Sequence, residues 1–282
     1  HYVYKGLLGV GGMGVVYKAL NSYLDKVVAI KTLKGKRYNE KELLRFQQEG
    51  KLLAKLVHPN LVSVMDFGVN QAQEPYMVLE YLQGESLAEM LKDEGILDLD
   101  LALELTKQTA AGLAHAHSFG AVHRDIKPGN IMLTDIKDDN IAHCTVKIVD
   151  FGIAKLVDDG NSSQQGLTKP GEVFGSPLYM SPEQCLAASA VDPRSDVYSL
   201  AIVAYESLSG FLPYKAKSAI EMMDCHLYGT PTPFSQASTD FKVCTEVTNV
   251  LNKALAKEPE QRQQDIQEFG KKIQKDNKLF GN

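Results

Sequence analysis

Apolar and polar residues alternate through residues 2–31, and several glycines interrupt the pattern in its middle. The apolar positions are mostly valine, isoleucine and tyrosine, which suit a pleated, half-buried surface. They are Tyr2, Tyr4, Val15, Val16, Tyr17, Val27, Val28 and Ile30. This alternation predicts antiparallel strands, and two more strands are predicted near 61–67 and 76–81.

The spacing of apolar residues changes between residues 39 and 57. Over this stretch the residues that could face a core return at helical intervals. They are Leu43, Phe46, Gly50, Leu53 and Leu56. The helix is predicted to end at His58, because the residue before a proline disfavours the helical conformation.

After Gly84 the pattern becomes mainly helical. Ser86 is predicted to cap a helix that ends near Lys92, and Asp98 to cap one over residues 100–119. Short strands are predicted near 131–133 and 146–149, and helices near 182–188, 194–209, 217–227, 244–256 and 264–275. The prediction is an α+β fold of two lobes joined by a hinge near 80–86. The small β-rich N-lobe with one helix covers residues 1–83, and the larger, mainly α-helical C-lobe covers 84–282.

The composition narrows the class of function. The chain has 282 residues, of which 44% are hydrophobic and 23% are charged, as in an ordinary soluble globular protein. Its formal net charge is −5 and it has no long basic run, so nucleic acid is not an expected partner. The four cysteines show no CxxC spacing, which favours reduced thiols over a disulfide framework or a zinc site.

The sequence contains no apolar run near the roughly 18 residues that a membrane span needs. The chain begins at His1 without the pattern of a signal peptide, and it runs straight into the first predicted strand. We therefore expect a cytoplasmic chain. An alternative stays open, in which the chain is the intracellular domain of a protein that is anchored to a membrane by a segment outside it.

The strongest chemical signal is the segment 123–130, which reads His-Arg-Asp-Ile-Lys-Pro-Gly-Asn. Asp125 can accept the proton of an attacking hydroxyl, and Lys127 can neutralise charge on a phosphate that is being transferred. Asn130, and Asp150 twenty residues later, supply the hard oxygen ligands that Mg²⁺ prefers. This ordered set of residue types at this spacing is typical of phosphoryl transfer.

With these residues the chain resembles the eukaryotic-like protein kinase family, from about Leu8 to Arg262. Lys127, two residues after Asp125, is similar to the serine/threonine-directed members. The sequences of residues 150–155 and 180–184 resemble bacterial serine/threonine kinases in particular. The resemblance implies that ATP and Mg²⁺ bind between the lobes, and that Asp125, Lys127 and Lys31 are catalytic.

Residues 9–16 match the glycine-rich loop of this family, with glycines at its first, third and sixth places. Without Cβ atoms, backbone amides can approach the phosphates of a nucleotide closely. A dinucleotide-binding loop would need a helix after it, whereas a strand-like stretch follows here, at residues 15–19. A flexible hairpin turn is the simplest alternative.

The remaining nucleotide contacts follow from the resemblance. Lys31 ends an apolar strand and needs a partner, for which Glu49 on the predicted helix is the candidate. Main-chain groups near Glu80 and Leu82 would bind adenine. The implied ATP-binding residues are Leu8, Gly9, Val10, Gly11, Gly12, Met13, Gly14, Val15, Val16, Ala29, Lys31, Glu49, Glu80 and Leu82, and the implied Mg²⁺ ligands are Asn130 and Asp150.

Other motifs concern regulation and architecture. In this family an arginine at the position of Arg124 marks control by phosphorylation of the activation loop, for which Thr168 is the first candidate here and Ser162 and Ser163 are weaker ones. Residues 175–184 resemble the substrate-facing segment, where Ser176 could bridge Asp125 and Lys127. The resemblance also implies a Glu183–Arg262 ion pair and an Asp196 that holds the backbone of the catalytic loop.

The chain departs from the family pattern in three places. The stretch from Asn130 to Asp150 is longer than usual, through a polar insertion at 135–143. Tyr198 stands where many members have tryptophan, and the segment 185–193 is slightly extended. None of these departures removes a residue of the predicted catalytic set.

The expected function is therefore a serine/threonine protein kinase that moves the γ-phosphoryl of ATP to a protein hydroxyl in signal transduction. A pseudokinase scaffold is the alternative from another class, and it would be favoured by loss of Lys31, Asp125, Asn130 or Asp150, all of which are present. A small-molecule phosphotransferase is a third alternative. The family resemblance also implies that the chain forms a transient homodimer through the N-lobe.

Overall fold

The first part of the chain, where apolar and polar residues alternate, forms five strands that pair into one antiparallel sheet. The strand order is β1-β2-β3-β5-β4. The strands are β1 (Tyr2–Gly11), β2 (Gly14–Asn21), β3 (Lys26–Leu33), β4 (Val64–Val69) and β5 (Pro75–Glu80). Ala19, Val28 and Val78 are almost fully buried and form a small core, against which partly buried aromatic and aliphatic side chains pack. The sheet therefore follows the predicted alternation.

The computed structural model describes residues 1–11, 14–33, 40–71, 74–135, 144–151, 177–186, 191–237 and 245–275. These residues form two compact units, one of residues 1–83 and one that begins at Gly84. The predicted features at Thr168, Ser162, Ser163, Ser176, Gly12 and Met13, and nearly all of the insertion 135–143, lie outside the described residues.

The helix of the first unit, α1 (Glu40–Leu53), ends before the predicted end near residues 57–58. Ala54 still donates its amide to the carbonyl of Gly50, but the amides of Lys55 and Leu56 donate to carbonyls only three residues back. The last turn thus tightens, as helix ends often do. Leu56 is buried even so, which is why its position fitted the helical spacing.

The second unit contains a small sheet and most of the helices. The sheet has the order β6-β7-β8, with β6 (Gly84–Ser86), β7 (Ile131–Thr134) and β8 (Thr145–Ile148). The helices are α2 (Leu87–Glu94), α3 (Leu99–Ser118), α4 (Pro182–Leu186), α5 (Pro193–Ser209), α6 (Ala219–Tyr228), α7 (Phe234–Ala237), α8 (Thr245–Ala254) and α9 (Ile266–Lys275). Helix α5 is buried along nearly its whole length, and α9 packs along α3.

The predicted caps of α2 and α3 are confirmed. Ser86 Oγ accepts the amide of Glu89 at 3.2 Å, and Glu89 Oε2 accepts the amide of Ser86 at 2.7 Å, which is a capping box. Asp98 Oδ1 accepts the amide of Asp100 at 2.9 Å. These bonds satisfy backbone donors that the first turn of a helix leaves without partners.

Strand β6 and the short helix α7 were not predicted. Strand β6 depends on Gly84, whose φ is +150°. A Cβ at this position would lie 1.8 Å from the carbonyl oxygen of Leu133 on β7, so only glycine allows this pairing. A strand of three residues gives no period that a sequence pattern could reveal.

Candidate active site

Two of the predicted catalytic residues, Asp125 and Lys127, meet the predicted metal ligand Asn130 in the loop that follows α3. Lys127 donates its Nζ to Oδ2 of Asp125 at 2.8 Å. Asn130 donates its Nδ2 to the carbonyl oxygen of Asp125 at 2.8 Å and to Oδ2 of the same residue at 3.1 Å. Asn130 is buried at the end of a single 3₁₀ turn, Pro128–Asn130. The Asp125 carboxylate is thereby held in one orientation by two side-chain donors.

Asp196, near the start of α5, holds the backbone of this loop through its carboxylate. Its Oδ2 accepts the amide of His123 and its Oδ1 accepts the amide of Arg124, both at 2.9 Å. The predicted role of Asp196 is therefore confirmed. His117 on α3 adds a side-chain contact between its Nε2 and Oδ2 of Asp196 at 2.7 Å.

The environment of Asp196 keeps it ionised. Burial alone raises the pKa of this carboxyl, because the charged form is removed from water. The hydrogen bond and charge of His117, together with the amide of His123, outweigh burial and hold the pKa below its usual value. A permanent carboxylate is what two backbone N–H donors and an imidazole require as their acceptor.

His123 joins the catalytic loop to Val149, which lies between β8 and Asp150. Burial lowers its pKa, so the imidazole is neutral near pH 7 and only one of its nitrogens carries a proton. Nε2 lies 3.0 Å from the carbonyl of Val149 and therefore donates, whereas Nδ1 accepts the amide of Asp125 at 3.3 Å. The amide of Val149 donates in turn to the carbonyl of Asn130 at 2.9 Å.

Two residues of the site have left-handed backbones. The φ angle is 65° at Arg124 and 62° at Asp150. A residue with a Cβ pays for this conformation with about 1–3 kcal/mol of strain, and such strain persists only where neighbouring contacts impose it. At Arg124 the contact is the bond from its amide to Asp196. One strained position directly precedes the predicted base Asp125, and the other is itself a predicted metal ligand.

The donor set fits a magnesium ion. The amide nitrogen of Asn130 is directed to Asp125, which leaves the amide oxygen as the atom that can bind a metal. Asp150, just after β8, contributes a carboxylate. Carbonyl and carboxylate oxygens are the ligands that Mg²⁺ prefers, with water or phosphate oxygens completing the shell.

The described nucleotide residues of the prediction lie in the first unit, and most of them are on strands β1 to β3. The strand register places Gly9 opposite Val16, and Val16 opposite Lys31, so these three form one row across the sheet. A Cβ added to Gly9 would meet no protein atom within 4 Å, so packing does not explain this glycine. Glycine at this position is compatible with the close approach of a phosphate.

The other predicted ATP-binding residues differ in exposure. Leu8 and Val10 are exposed, whereas Val15 and Ala29 are buried and Val16 is half-buried. Glu49 lies on α1, four residues before its last. Glu80 is the last residue of β5, and its carboxylate accepts the amide of Ser63 at 2.8 Å. Leu82 follows the strand and is half-buried, and Gly11 and Gly14 face each other at the β1–β2 turn.

The segment after the 3₁₀ turn Pro177–Tyr179 is tied to the catalytic loop. Gln184 donates its Nε2 to the carbonyl of Arg124 at 2.8 Å. Its neighbour Glu183 forms a two-pronged ion pair with Arg262, with both nitrogen–oxygen distances at 2.8 Å. The predicted Glu183–Arg262 pair is therefore confirmed, and it anchors the start of α4.

Sequence reasoning missed His117 and Gln184. His117 lies within a long helical run and carries no motif of its own, so only the fold shows that it reaches Asp196. Gln184 was read as part of the motif Met-Ser-Pro-Glu-Gln, without a role. Its contact partner Arg124 is separated from it by 60 residues, which no local pattern can reveal.

The fold and this arrangement define a class of protein. A carboxylate fixed by a lysine and an amide, in a chain that also has a second acid just after a strand and a β-sheet unit with a glycine-rich turn, is typical of a phosphotransferase of the protein kinase type. In agreement, the family model for the protein kinase domain matches residues 2–271. The chain belongs to the protein kinase family.

The curated relatives that the chain resembles are bacterial serine/threonine kinases. It is 35% identical over 274 residues to the serine/threonine-protein kinase pkn3 of Myxococcus xanthus, which covers 97% of this chain and 49% of that protein. It is 38% identical over 260 residues to the serine/threonine-protein kinase PknA of Mycobacterium tuberculosis, covering 90% of this chain and 57% of that protein. The chain thus spans about half the length of the curated relatives it matches.

A solved structure supports the fold. The crystal structure of the Mycobacterium tuberculosis PknI kinase domain matches with a TM-score of 0.73 at 25% identity, over 97% of this chain and 95% of that one. The predicted α+β kinase fold and the predicted membership of the eukaryotic-like, bacterial serine/threonine class are therefore confirmed. Members of the protein kinase family generally use ATP with Mg²⁺ and act on protein substrates.

Two further observations concern the described residues alone. Cys144, Cys185 and Cys225 are free thiols there, and Cys244 lies outside the described ranges. No helix in the described part of the chain has the length and apolarity to cross a membrane.

Proposed function

We propose that this chain transfers the γ-phosphoryl group of ATP to serine or threonine hydroxyls of a protein, as the catalytic part of a longer signalling protein. The observation that carries the proposal is the Asp125 carboxylate, bound at Oδ2 by both Lys127 and Asn130 on a loop anchored to Asp196. A pseudokinase scaffold would not need a carboxylate oriented in this way.

The chain's own residues divide the work. Asp125 orients the acceptor hydroxyl and takes its proton, and its neighbours hold it in the required rotamer. The ammonium group of Lys127 lies 2.8 Å from Asp125. From there it can turn to the phosphoryl group and stabilise the negative charge that develops on it. Magnesium bound with ATP spreads the charge of the phosphates.

The binding assignments remain proposals of the same kind. Asn130 and Asp150 would hold Mg²⁺, and Lys31, positioned by Glu49, would hold the α- and β-phosphates. The glycine-rich turn would cover the phosphates, and the main chain at Glu80 and Leu82 would bind adenine. These assignments are supported by the position of each residue in its strand, helix or loop.

The domain assignment rests on the same grounds. We assign residues 1–83 to an N-lobe and 84–282 to a C-lobe of one kinase domain, which agrees with the two compact units. Because the relatives are about twice as long as the match, we expect that parts of the protein outside this chain receive the activating signal and determine whether its location is cytoplasmic or membrane-tethered. A transient homodimer through the N-lobe is proposed from family resemblance. Nucleic acid is not a proposed partner, given the net charge of −5.

The direct test is incubation of the purified chain with Mg²⁺, γ-labelled ATP and a lysine-rich histone as the acceptor. We expect label on histone serines or threonines and on the chain itself, located by mass spectrometry. Binding of ATP without any transfer of label would favour the pseudokinase alternative. Label transferred only to small molecules would favour the third alternative.

Replacement of Lys31 by methionine should lower kcat by on the order of 10²–10³-fold, because a cation that stabilises phosphate charge is lost while the aliphatic stem remains. Steady-state rates of histone labelling measure the effect. Lys26→Met, at the exposed start of the same strand, is the matched control and should behave as the wild type. A fully active Lys31→Met variant would contradict the role of Lys31.

Replacement of Thr168 by alanine should delay or weaken activation, since phosphorylation of this residue is proposed to supply a phosphate for Arg124. The measurement starts from phosphatase-treated protein and follows histone labelling over time. Wild type should show a lag that Thr168→Ala lengthens, whereas Ser162→Ala should keep the wild-type lag. If dephosphorylated wild type is fully active from the first minute, the regulatory proposal is wrong.

A further inference from the structure

A chain of hydrogen bonds connects Lys257 to Pro177 through the interior of the second unit. Lys257 Nζ lies 2.9 Å from the hydroxyl of Tyr214, and this hydroxyl lies 3.2 Å from that of Tyr198. The Tyr198 hydroxyl lies 3.0 Å from Nδ1 of His226, and Nε2 of His226 lies 2.8 Å from the carbonyl oxygen of Pro177. His226 and Tyr198 are fully buried.

The direction of each bond in this chain is determined by its two ends. The carbonyl of Pro177 can only accept, so Nε2 of His226 carries a proton. Burial lowers the pKa of His226 to about 4, so the imidazole is neutral near pH 7 and its Nδ1 accepts. With Nδ1 as an acceptor, the hydroxyl of Tyr198 at 3.0 Å is the group that can donate to it, and the hydroxyl of Tyr214 lies 3.2 Å away on the other side of Tyr198.

Lys257 completes the chain as a donor. Its three ammonium protons are matched by the Tyr214 hydroxyl at 2.9 Å and by the carbonyls of Cys225 and His226 at 3.0 and 2.8 Å. These carbonyls belong to the last turn of α6, where a cation is favourable. The network therefore has one consistent arrangement of protons, and it selects the His226 tautomer that donates to Pro177.

Pro177 begins the turn that leads into α4, and the turn is held at further points. The carbonyl oxygen of Tyr179 accepts a hydrogen bond of 2.7 Å from the hydroxyl of Ser199. The hydroxyl of Tyr179 donates to Oε2 of Glu206, also at 2.7 Å. Gln184 reaches the carbonyl of Arg124, next to Asp125. The contact from His226 comes from α6 and acts on Pro177, the first residue of the turn.

We propose that His226 is a positioning residue for the protein acceptor: through Pro177 it fixes the substrate-facing segment beside the catalytic loop, with the Tyr198 hydroxyl selecting the donating tautomer. The inference rests on the proposed kinase function and adds to it the device that shapes the acceptor side of the site. Because tyrosine at position 198 supplies a hydroxyl that can meet Nδ1, the network uses one of the departures from the family pattern.

The inference predicts a selective kinetic effect. A loosened turn at Pro177 should weaken the binding of the acceptor protein equally in the ground state and in the transition state. The KM for the acceptor should therefore rise. The proposed nucleotide residues are on other elements, so KM for ATP should not change. Loss of one buried hydrogen bond corresponds to about a fivefold to tenfold rise in the acceptor KM.

Two substitutions at His226 separate the contact from the bulk of the side chain. His226→Phe keeps a ring but removes both nitrogens, whereas His226→Gln retains an N–H group that can reach the carbonyl of Pro177. We expect the rise in acceptor KM for His226→Phe and near wild-type values for His226→Gln. Tyr198→Phe, which no longer selects the tautomer, should raise the acceptor KM by a smaller factor.

The matched control is Tyr205→Phe. Tyr205 is a buried tyrosine on the same helix α5, and its hydroxyl donates to the carbonyl of Thr232 at 2.7 Å, away from the turn at Pro177. Its loss should leave both KM values unchanged, although it removes a buried hydroxyl of the same kind. Circular dichroism of every variant shows whether it is folded before kinetics are measured.

The experiment measures KM for the histone and for ATP in wild type and in all four variants. A rise in the acceptor KM alone in His226→Phe, together with a near wild-type acceptor KM in His226→Gln, supports the inference. Equal acceptor KM values in folded wild type, Phe and Gln variants overturn it while leaving the kinase function intact. If His226→Phe does not fold, Tyr198→Phe against Tyr205→Phe decides in the same way. A wild type that labels no acceptor overturns the proposed function itself, and the role of His226 with it.

Discussion

Replacing Asp125 by asparagine is expected to lower kcat by about 10²–10⁴-fold, which is the usual contribution of a positioned general base. The side chain keeps its size, and its remaining oxygen can still accept from Lys127 or from Asn130, each within 3.1 Å of Oδ2 in the wild type. What the variant loses is the ability to take the proton of the acceptor hydroxyl. The affinity for ATP should therefore stay close to that of the wild type.

This outcome is measured by initial rates of histone labelling together with ATP binding by calorimetry. Asp98→Asn is the matched control, because it makes the same chemical change at the exposed cap of α3, where asparagine caps as well as aspartate. It should alter neither rate nor affinity. Wild-type turnover in Asp125→Asn would remove Asp125 from the role of base.

The catalytic loop was predictable because its chemistry is local in sequence. Asp125, Lys127 and Asn130 lie within six residues, so one 3₁₀ turn is enough to bring their side chains together. The cap residues Ser86 and Asp98 were predictable for the same reason, since a cap bonds an amide only two or three residues away. Most strands and helices also follow the predicted periods to within a few residues.

Contacts between residues far apart in sequence could not be derived from local patterns. His117 and Asp196 are separated by 79 residues, and His226 and Pro177 by 49. Each pair involves a helix face that reads as ordinary core, so neither the 3.6-residue period nor composition marks the polar contact. The Glu183–Arg262 pair, also 79 residues apart, was predicted only through resemblance to the family.

Arg262 is a buried side chain of the second unit whose hydrogen-bonding capacity is fully used. Its side chain is fully buried, and each of its five N–H groups has an acceptor. Glu183 takes two of them, and the carbonyls of Ala256, Arg194 and Lys257 take the other three, at 2.8 to 3.0 Å. The guanidinium thus joins α4, the start of α5 and the turn before α9.

Replacing Arg262 by methionine should lower the free energy of unfolding of the second unit by about 3–5 kcal/mol, because Glu183 is left as a buried charge without its partner. Ser195 still donates to Oε1 of Glu183, but one hydroxyl does not replace two ionic bonds. Urea unfolding followed by circular dichroism measures the change, and tyrosine fluorescence is a second probe since the chain has no tryptophan. The double variant Glu183→Leu, Arg262→Met should lose less than the single one, because no buried charge remains.

The pH dependence separates a stranded charge from a mere loss of packing. In the wild type, burial pushes the pKa of Glu183 upwards, but the hydrogen bonds and charge of Arg262 hold it below its usual value. The pair therefore contributes stability above the usual pKa of glutamate and loses it as the pH falls through the lowered one. In Arg262→Met burial is opposed only by the hydrogen bonds from Ser195 and from the Glu183 backbone, so the pKa should rise and the folded state should bind a proton more readily than the unfolded state. The variant should then gain stability, relative to wild type, as the pH is lowered from 7 towards 5, whereas a deficit that is the same at both pH values would show that packing alone is responsible.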